Sequence, residues 1–457
     1  MKKIIAIALA GAVGFAGLCL TNFAHDNRPV LKVANWAEYI DGGDEDSELI
    51  REFESWYEQQ TGKKIRVEYC IADDNEILYN MIKMGDNFDL ICPSEYMIMK
   101  LAAEGRLQKL PASFYDTGVE TNYYAKHVSP FILDTFSSNY VNGEAWKEYA
   151  AGYMWGTTGF VYNPDHVSEQ DVQTWSIFNN PKYNKKITAK NNIRDTYFVG
   201  LAIYHDAALR ALKSDYESGK ITKAVYQTQL SALMNDTSHE TMSGVKEVLQ
   251  NMTSNLYGFE TDEGKNDTIA GKITVNYQWS GDGVYIMDTA EYGEEEEEPE
   301  NSVLLNYAIP ETVSNLWFDG WVLTKDCRNV DAATMFINFL SMPENAVRNM
   351  NYIGYTSCIG SETVFNDFVL DYYSAEEDEE GVAKYDLNYF FNPDYVTGDA
   401  STASEEYVFY TYEEQLKRQL FAQYPQEEVL TRCVAMQYFD ADANSRANSM
   451  WSDVTFF

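Results

Sequence analysis

The sequence predicts an α/β protein folded as two lobes. Its 457 residues are too many for one compact domain and suit two of ordinary size. In the first hundred residues, short apolar runs with strand spacing alternate with longer runs whose apolar residues recur at helical spacing. A hydrophobic content of 45%, with 14% aromatic residues, is ample for a buried core and excludes global disorder.

Residues 31–34 read as a short apolar strand. Asp46 or Ser47 stands where a cap is needed for a helix carrying Leu49, Ile50, Phe53, Trp56 and Tyr57 on one face, and Gly62 stops it. Residues 65–69 alternate as a strand. Residues 75–84 form a helix with Ile77, Leu78, Met81 and Ile82 together, ended by Gly85. Residues 88–92 read as a buried strand, followed by a helix through Met99 and Leu101 to Gly105. This alternation implies a parallel sheet flanked by helices. In such sheets ligands bind at the carboxyl ends of strands. Residues 35–39 and 93–96, just after the first and third strands, are therefore candidate site loops.

From Ala150 the sequence turns glycine-rich and aromatic (Gly152, Tyr153, Trp155, Gly156, Gly159, Phe160), which suits an extended crossover into a second lobe. Residues 207–249 read as largely helical and external. A strand over 273–279 runs into Ser280-Gly281-Asp282-Gly283, and further strands are expected at 304–309 and 321–324. Residues 332–340 form an amphipathic helix ending before Pro343, and another helix begins at Glu344.

The formal charge of −37 argues against nucleic acid or an anionic membrane surface as a partner, because both would be repelled. It permits a cationic ligand without demanding one. The acidic runs at 294–298 with Glu300 and at 376–380 read as solvated surface loops. At the N-terminus, Lys2 and Lys3 precede an apolar stretch over 4–17, the pattern of a secretory signal. Cys19 ends that stretch where a lipidated cysteine would stand, although Leu18 occupies the place of the expected small residue. No other segment approaches the ~18 apolar residues of a membrane span. Cys70, Cys92, Cys327, Cys358 and Cys433 contain no C-x-x-C pair and are expected to be mostly free thiols, Cys70 and Cys92 buried as small hydrophobes. The five histidines lack metal-ligand spacing. Neither a cofactor nor a catalytic motif is indicated.

The chain resembles the polyamine-binding proteins of bacterial ABC transporters, the spermidine/putrescine class. The resemblance rests on seven segments in order. Asn35-Trp36-Ala37-Glu38-Tyr39 and Phe88-Asp89-Leu90-Ile91-Cys92-Pro93-Ser94-Glu95-Tyr96 follow the family's strand-end patterns. Trp155-Gly156-Thr157-Thr158-Gly159 resembles its crossover, with one residue fewer before the second glycine. Trp279-Ser280-Gly281-Asp282, Trp317-Phe318-Asp319, the run from Phe336 to Leu340 and Ile353-Gly354-Tyr355 complete the set. The resemblance implies a two-lobed type II periplasmic-binding-protein fold with a crossover hinge. Lobe one is expected over 30–153 plus 318–357, and lobe two over 154–317 plus 358–457. It also implies a monomer that hands its solute to ABC permease subunits and has no enzymatic activity.

The chemistry fits a polyamine. Each ammonium removed from water needs a carboxylate or comparable acceptor in exchange. The methylenes want flat apolar walls, and aromatic faces add cation–π attraction. By the resemblance, Trp36, Tyr39, Trp279, Trp317 and Tyr355 line the methylene channel. Asp282 and Asp319 pair with ammonium groups, Glu38 serves near one mouth, and Asp195 is a further acidic candidate. Ser94, Tyr96 and Gln437 supply polar contacts. An acid at Asp282, together with Asn192 where some spermidine binders carry an acid, favours putrescine or a mixed putrescine/spermidine preference.

Read singly, the same residues have plainer roles. A strand-end Trp packs a core, Asp forms turns, and Ser94 caps the following helix. Two other functions also fit aromatic walls with acids: an exported carbohydrate-active enzyme using two carboxylates, and a binding protein for a different small solute.

Overall fold

The computed structural model describes residues 28–43, 47–261, 263–293 and 302–455. Asp46, the N-terminal apolar stretch with Cys19, and the acidic run ending at Glu300 lie outside them.

Fifteen strands are formed among the described residues: β1 (Val30–Asn35), β2 (Arg66–Ile71), β3 (Leu90–Ile91), β4 (Tyr140–Val141), β5 (Glu144–Ala145), β6 (Ala150–Tyr162), β7 (Ile187–Lys190), β8 (Gly258–Glu260), β9 (Val275–Trp279), β10 (Asn306–Ala308), β11 (Ser314–Leu323), β12 (Thr356–Ser357), β13 (Val382–Asp386), β14 (Val408–Tyr412) and β15 (Cys433–Val434). Eleven of them make one sheet in the order β2-β1-β3-β11-β6-β9-β7-β8, with β10 and β12 on β6 and β15 on β11. β1 is parallel to β2 and β3, as the β–α alternation predicts. At the far side β7 is parallel to β8 and β9. The centre differs from a purely parallel sheet, because β11 runs antiparallel to β3 and β6, and β6 antiparallel to β9. Two parallel α/β units are thus joined through β6 and β11.

Every residue of the 13-residue β6 is buried. Its first half pairs with β11 and β12, and its second half with β9 and β10, so one strand passes from one lobe into the other. β11 begins at Ser314, seven residues before the strand expected at 321. Trp317 and Asp319 therefore lie inside a strand rather than at a strand end. All ten β11 residues are buried, which removes the alternation that would have marked the strand in the sequence. A register shift between Asp319 and Gly320 breaks the ladder there, the kind of irregularity that re-aims a side chain.

The helices that border the site follow from local signals. In α1 (Glu48–Thr61) the Ser47 hydroxyl accepts from the Ile50 amide at 3.3 Å, so Ser47 is the cap. Phe53 packs edge-on against Phe336 at 4.9 Å between centroids, which joins α1 to the helix Val330–Leu340. α2 (Asn75–Met84) is capped by Asp74, but only Leu78 of its apolar set is fully buried and Ile77 is 40% exposed. The reason is position: β2 is the sheet edge, where no residue is fully buried, so the helix beside it covers little core. α3 (Glu95–Ala103) follows β3 directly.

The 376–380 acidic run is exposed beside the β13–β14 hairpin, where the Tyr410 and Tyr412 hydroxyls donate to Glu377 and Glu379. Cys92, Cys327, Cys358 and Cys433 are buried free thiols, whereas Cys70 is half-buried because it stands on the edge strand.

Candidate functional site

The cleft forms where the two halves of β6 meet. Along β6, Met154 faces Asp319, Trp155 faces Phe318 and Thr356, Gly156 faces Trp317, and Thr158 faces Trp279. These pairings bring Trp317 and Asp319 of β11 and Trp279 of β9 to one place. Gly156 is required by close approach: a Cβ there would lie 2.3 Å from Ser280 Oγ and 2.6 Å from Trp317 Cζ2. The resulting cavity has a volume of about 500 Å³. Of the twelve predicted ligand-binding residues, eleven line it: Trp36, Glu38, Tyr39, Ser94, Tyr96, Asp195, Trp279, Asp282, Trp317, Asp319 and Tyr355.

Asp319 is the most organised group in it. Its Oδ2 accepts from Trp36 Nε1 at 3.1 Å and from the Tyr39 hydroxyl at 2.9 Å, and its Oδ1 accepts from the Ser94 hydroxyl at 2.7 Å. Ser94 occupies the first cap position of α3 but makes no side-chain cap bond. Its hydroxyl is committed to Asp319 and also accepts from Asn75 Nδ2 at 2.9 Å. Burial pushes the Asp319 carboxyl up to about 6, against the opposing effect of those three donors. The turn that presents Trp36 and Tyr39 includes Glu38 at φ 54°, a left-handed conformation uncommon for a non-glycine residue.

Glu95, next to Ser94, is buried as well. It accepts the Phe318 amide at 3.1 Å, and burial raises its carboxyl to about 8. A folded-state value above the unfolded one means that Glu95 favours the fold fully below about pH 4. That contribution is lost as the pH rises through about 8. Glu95→Gln keeps an acceptor for the amide and should raise the melting temperature at pH 8 by several degrees, with the gain vanishing near pH 4. Scanning calorimetry at the two pH values checks this.

Aromatic rings close the walls. Tyr39 meets Tyr355 edge-on at 5.7 Å, and Tyr355 meets Trp317 edge-on at 5.3 Å. Trp317 Nε1 donates to the Thr157 carbonyl at 3.2 Å, fixing the indole. Gly281 lets Tyr355 approach, since a Cβ there would lie 2.3 Å from its ring.

The opposite side is built by α4 (Ile193–Tyr204), α5 (Glu263–Ile269) and α6 (Ser280–Tyr292). Asn192 caps α4 through the Arg194 and Asp195 amides, and its Nδ2 donates to Asp195 Oδ2 at 2.7 Å. Burial raises the Asp195 carboxyl to about 6, opposed by Lys190, a hydrogen bond from the Trp279 side chain, and Arg194. The Lys190 ammonium lies 4.0 Å from the Trp279 ring and 3.6 Å from Glu260 Oε1. Asp282 pairs with Lys265 at 3.1 Å. The Arg194 guanidinium packs between the rings of Tyr96 at 4.4 Å and Phe439 at 3.6 Å. Tyr96 turns its hydroxyl to Glu76 at 3.3 Å.

Gln437 does not line the cavity. Its carbonyl accepts from Arg194 and its amide donates to Asn235 Oδ1 at 2.7 Å, so it acts through the main chain. Met436, beside it, reaches the wall instead. Sequence reasoning also missed Asp73, Asp74, Asn75, Glu76, Arg194 and Lys265. The first four follow the second parallel strand, and the strand-end rule that selected the loops after the first and third strands applies to them equally. No pattern marked the two cations.

The family of bacterial extracellular solute-binding proteins matches residues 48–362. This chain belongs to that family. Its relatives include the spermidine/putrescine-binding periplasmic protein of Salmonella typhimurium, 25% identical over 89% of this chain and 98% of that one. The putrescine-binding periplasmic protein SpuD of Pseudomonas aeruginosa is 27% identical over 75% of this chain and 80% of that one. Among solved structures, the spermidine/putrescine ABC transporter substrate-binding protein PotD of Streptococcus pneumoniae aligns with a TM-score of 0.57. Its identity is 22%, over 94% of this chain and 99% of that one. The TpPotD lipoprotein of Treponema pallidum aligns at 0.60 with 17% identity, over 94% of this chain and all of that one. The two-lobed fold follows from these likenesses, and membership of a family of extracellular solute-binding proteins gives this chain an extracytoplasmic place of work.

Proposed function

We propose that this solute-binding protein captures a polyamine, putrescine and/or spermidine, in its cleft and delivers it to an ABC importer. One observation carries the reading. Asp319 is a buried carboxylate whose three donors, Trp36, Tyr39 and Ser94, are all neutral. Its hydrogen bonds are met but its charge is not, and a buried charge is stable only with a counter-charge. A ligand ammonium against Asp319, with its methylenes along Trp317, Tyr355 and Trp36, supplies one. The wider lining agrees: among the described residues of the cavity wall, Glu38, Asp73, Asp74, Glu76, Asp195, Asp282 and Asp319 stand against only Arg194 and Lys265, while burial keeps Glu95 largely protonated. Aromatic faces add about 0.5–2 kcal/mol of cation–π attraction.

The binding reaction then depends on pH with a definite sign. In the empty cleft burial raises Asp319 and Asp195 each to about 6, and the two ammonium groups of a bound diamine need one ionised carboxylate each. Affinity is at its plateau above pH 7 and falls as the pH drops through 6, by about tenfold per carboxyl between pH 7 and pH 5 and about a hundredfold for the two. Calorimetric titration of putrescine at the two pH values tests this. Equal affinities would mean that neither carboxylate meets the ligand.

The cellular setting completes the proposal. The protein acts as a monomer whose two lobes close on the ligand and then dock on permease subunits, and Cys19 carries a lipid anchor. Mass spectrometry of the protein from its native membrane reads that modification directly.

A further inference from the structure

The two ends of the cleft are charged differently. At the Asp319 end the donors to the carboxylate are neutral. Across β6, at the Trp279 end, the carboxylates already face cations of the chain. Asp195 feels Lys190 and Arg194. Asp282 Oδ1 lies 3.1 Å from the Lys265 ammonium, whose side chain lines the cavity and is 21% exposed. Behind this pair the Lys190–Glu260 ion pair is almost fully buried.

We infer that Lys265 is a specificity-determining residue. Its ammonium occupies Asp282 as one amine of a longer ligand otherwise would. The inference rests on the polyamine reading above and refines it. A ligand that carries a third ammonium towards Asp282 meets Lys265 as a like charge at close range, in a cleft where water screens poorly. Asp282, which the resemblance assigned to the ligand, is then spent on the protein's own lysine. The cleft holds a short diamine and discriminates against a triamine.

Lys265→Met tests this, because methionine keeps much of the apolar stem and removes the charge. Putrescine and spermidine affinities are measured by calorimetry for the wild type, Lys265→Met, Lys265→Arg and the double variant Lys265→Met/Asp282→Asn. Lys265→Met should raise the spermidine-to-putrescine affinity ratio at least tenfold, Lys265→Arg should leave it within threefold, and the double variant should lose the gain. If Lys265→Met does not fold, Lys265→Gln replaces it with the same expectation. An unchanged ratio with putrescine binding intact overturns the inference and leaves the polyamine reading standing, and so does an equal tightening of both ligands, which would make Lys265 a displaceable placeholder. A wild type that binds no amine overturns the reading itself, and the inference with it.

Discussion

Asp319→Asn should lower polyamine affinity by about 2–5 kcal/mol, from roughly thirtyfold to more than a thousandfold, because it leaves a desolvated ammonium without a counter-charge. The empty protein should not suffer in parallel. Burial holds the Asp319 carboxyl near 6, above its unfolded value, so its contribution to the fold is complete below about pH 4 and lost as the pH rises through about 6. Asparagine removes that charge but turns an amide N–H towards a shell of donors, Trp36, Tyr39 and Ser94, at the loss of about one hydrogen bond. The melting temperature of the unliganded variant at pH 7.5 should therefore match or slightly exceed that of the wild type. Calorimetric titration and a thermal scan on the same preparation separate the two effects. A loss of stability with unchanged affinity would reduce Asp319 to a structural residue.

Gly156→Ala should damage the site without removing any polar group from it. The added methyl would stand 2.3 Å from Ser280 Oγ and 2.6 Å from the Trp317 ring, so both must move. Overpacking of this kind costs about 1–3 kcal/mol, a fall of a few degrees in melting temperature. The larger effect is on binding. Trp317 is pinned between the Thr157 carbonyl and the Tyr355 ring, and its displacement takes the apolar wall with it. Affinity for putrescine should drop at least tenfold. Retained affinity, with only the stability loss, would show that Trp317 does not form the wall.

Much of this site could be read from residue order. The loops after the first and third strands were identifiable because parallel strands present their carboxyl ends to a ligand, and Trp36, Tyr39, Ser94 and Tyr96 stand there. The cap at Ser47, one of the two residues that the sequence offered, was legible from local hydrogen-bonding chemistry. Three features were not. β11 is buried on both faces, so no period of two marked its start at Ser314, and Trp317 and Asp319 stood ahead of the strand expected at 321 rather than at a bulge within one. Ser94 read equally well as a helix cap, and only the approach of Asp319 from 225 residues away decides its partner. Lys265 sits in a polar helical stretch and Arg194 in the first turn of a helix, both places where a cation is ordinarily solvated. That they turn into the cleft depends on the packing of α4 and α5 against distant segments, through contacts such as Arg194 with Phe439 and Lys265 with Asp282.

A small organic polycation is the proposed partner of the unbalanced charge of the cleft. Isothermal titration of the purified protein at pH 7.5 with putrescine, spermidine, spermine and a panel of neutral sugars tests it most directly. Putrescine should bind saturably, one to one, at micromolar concentration or tighter, and the sugars should give no heat. Absence of heat with every amine, or saturable binding of a sugar in their place, would contradict it.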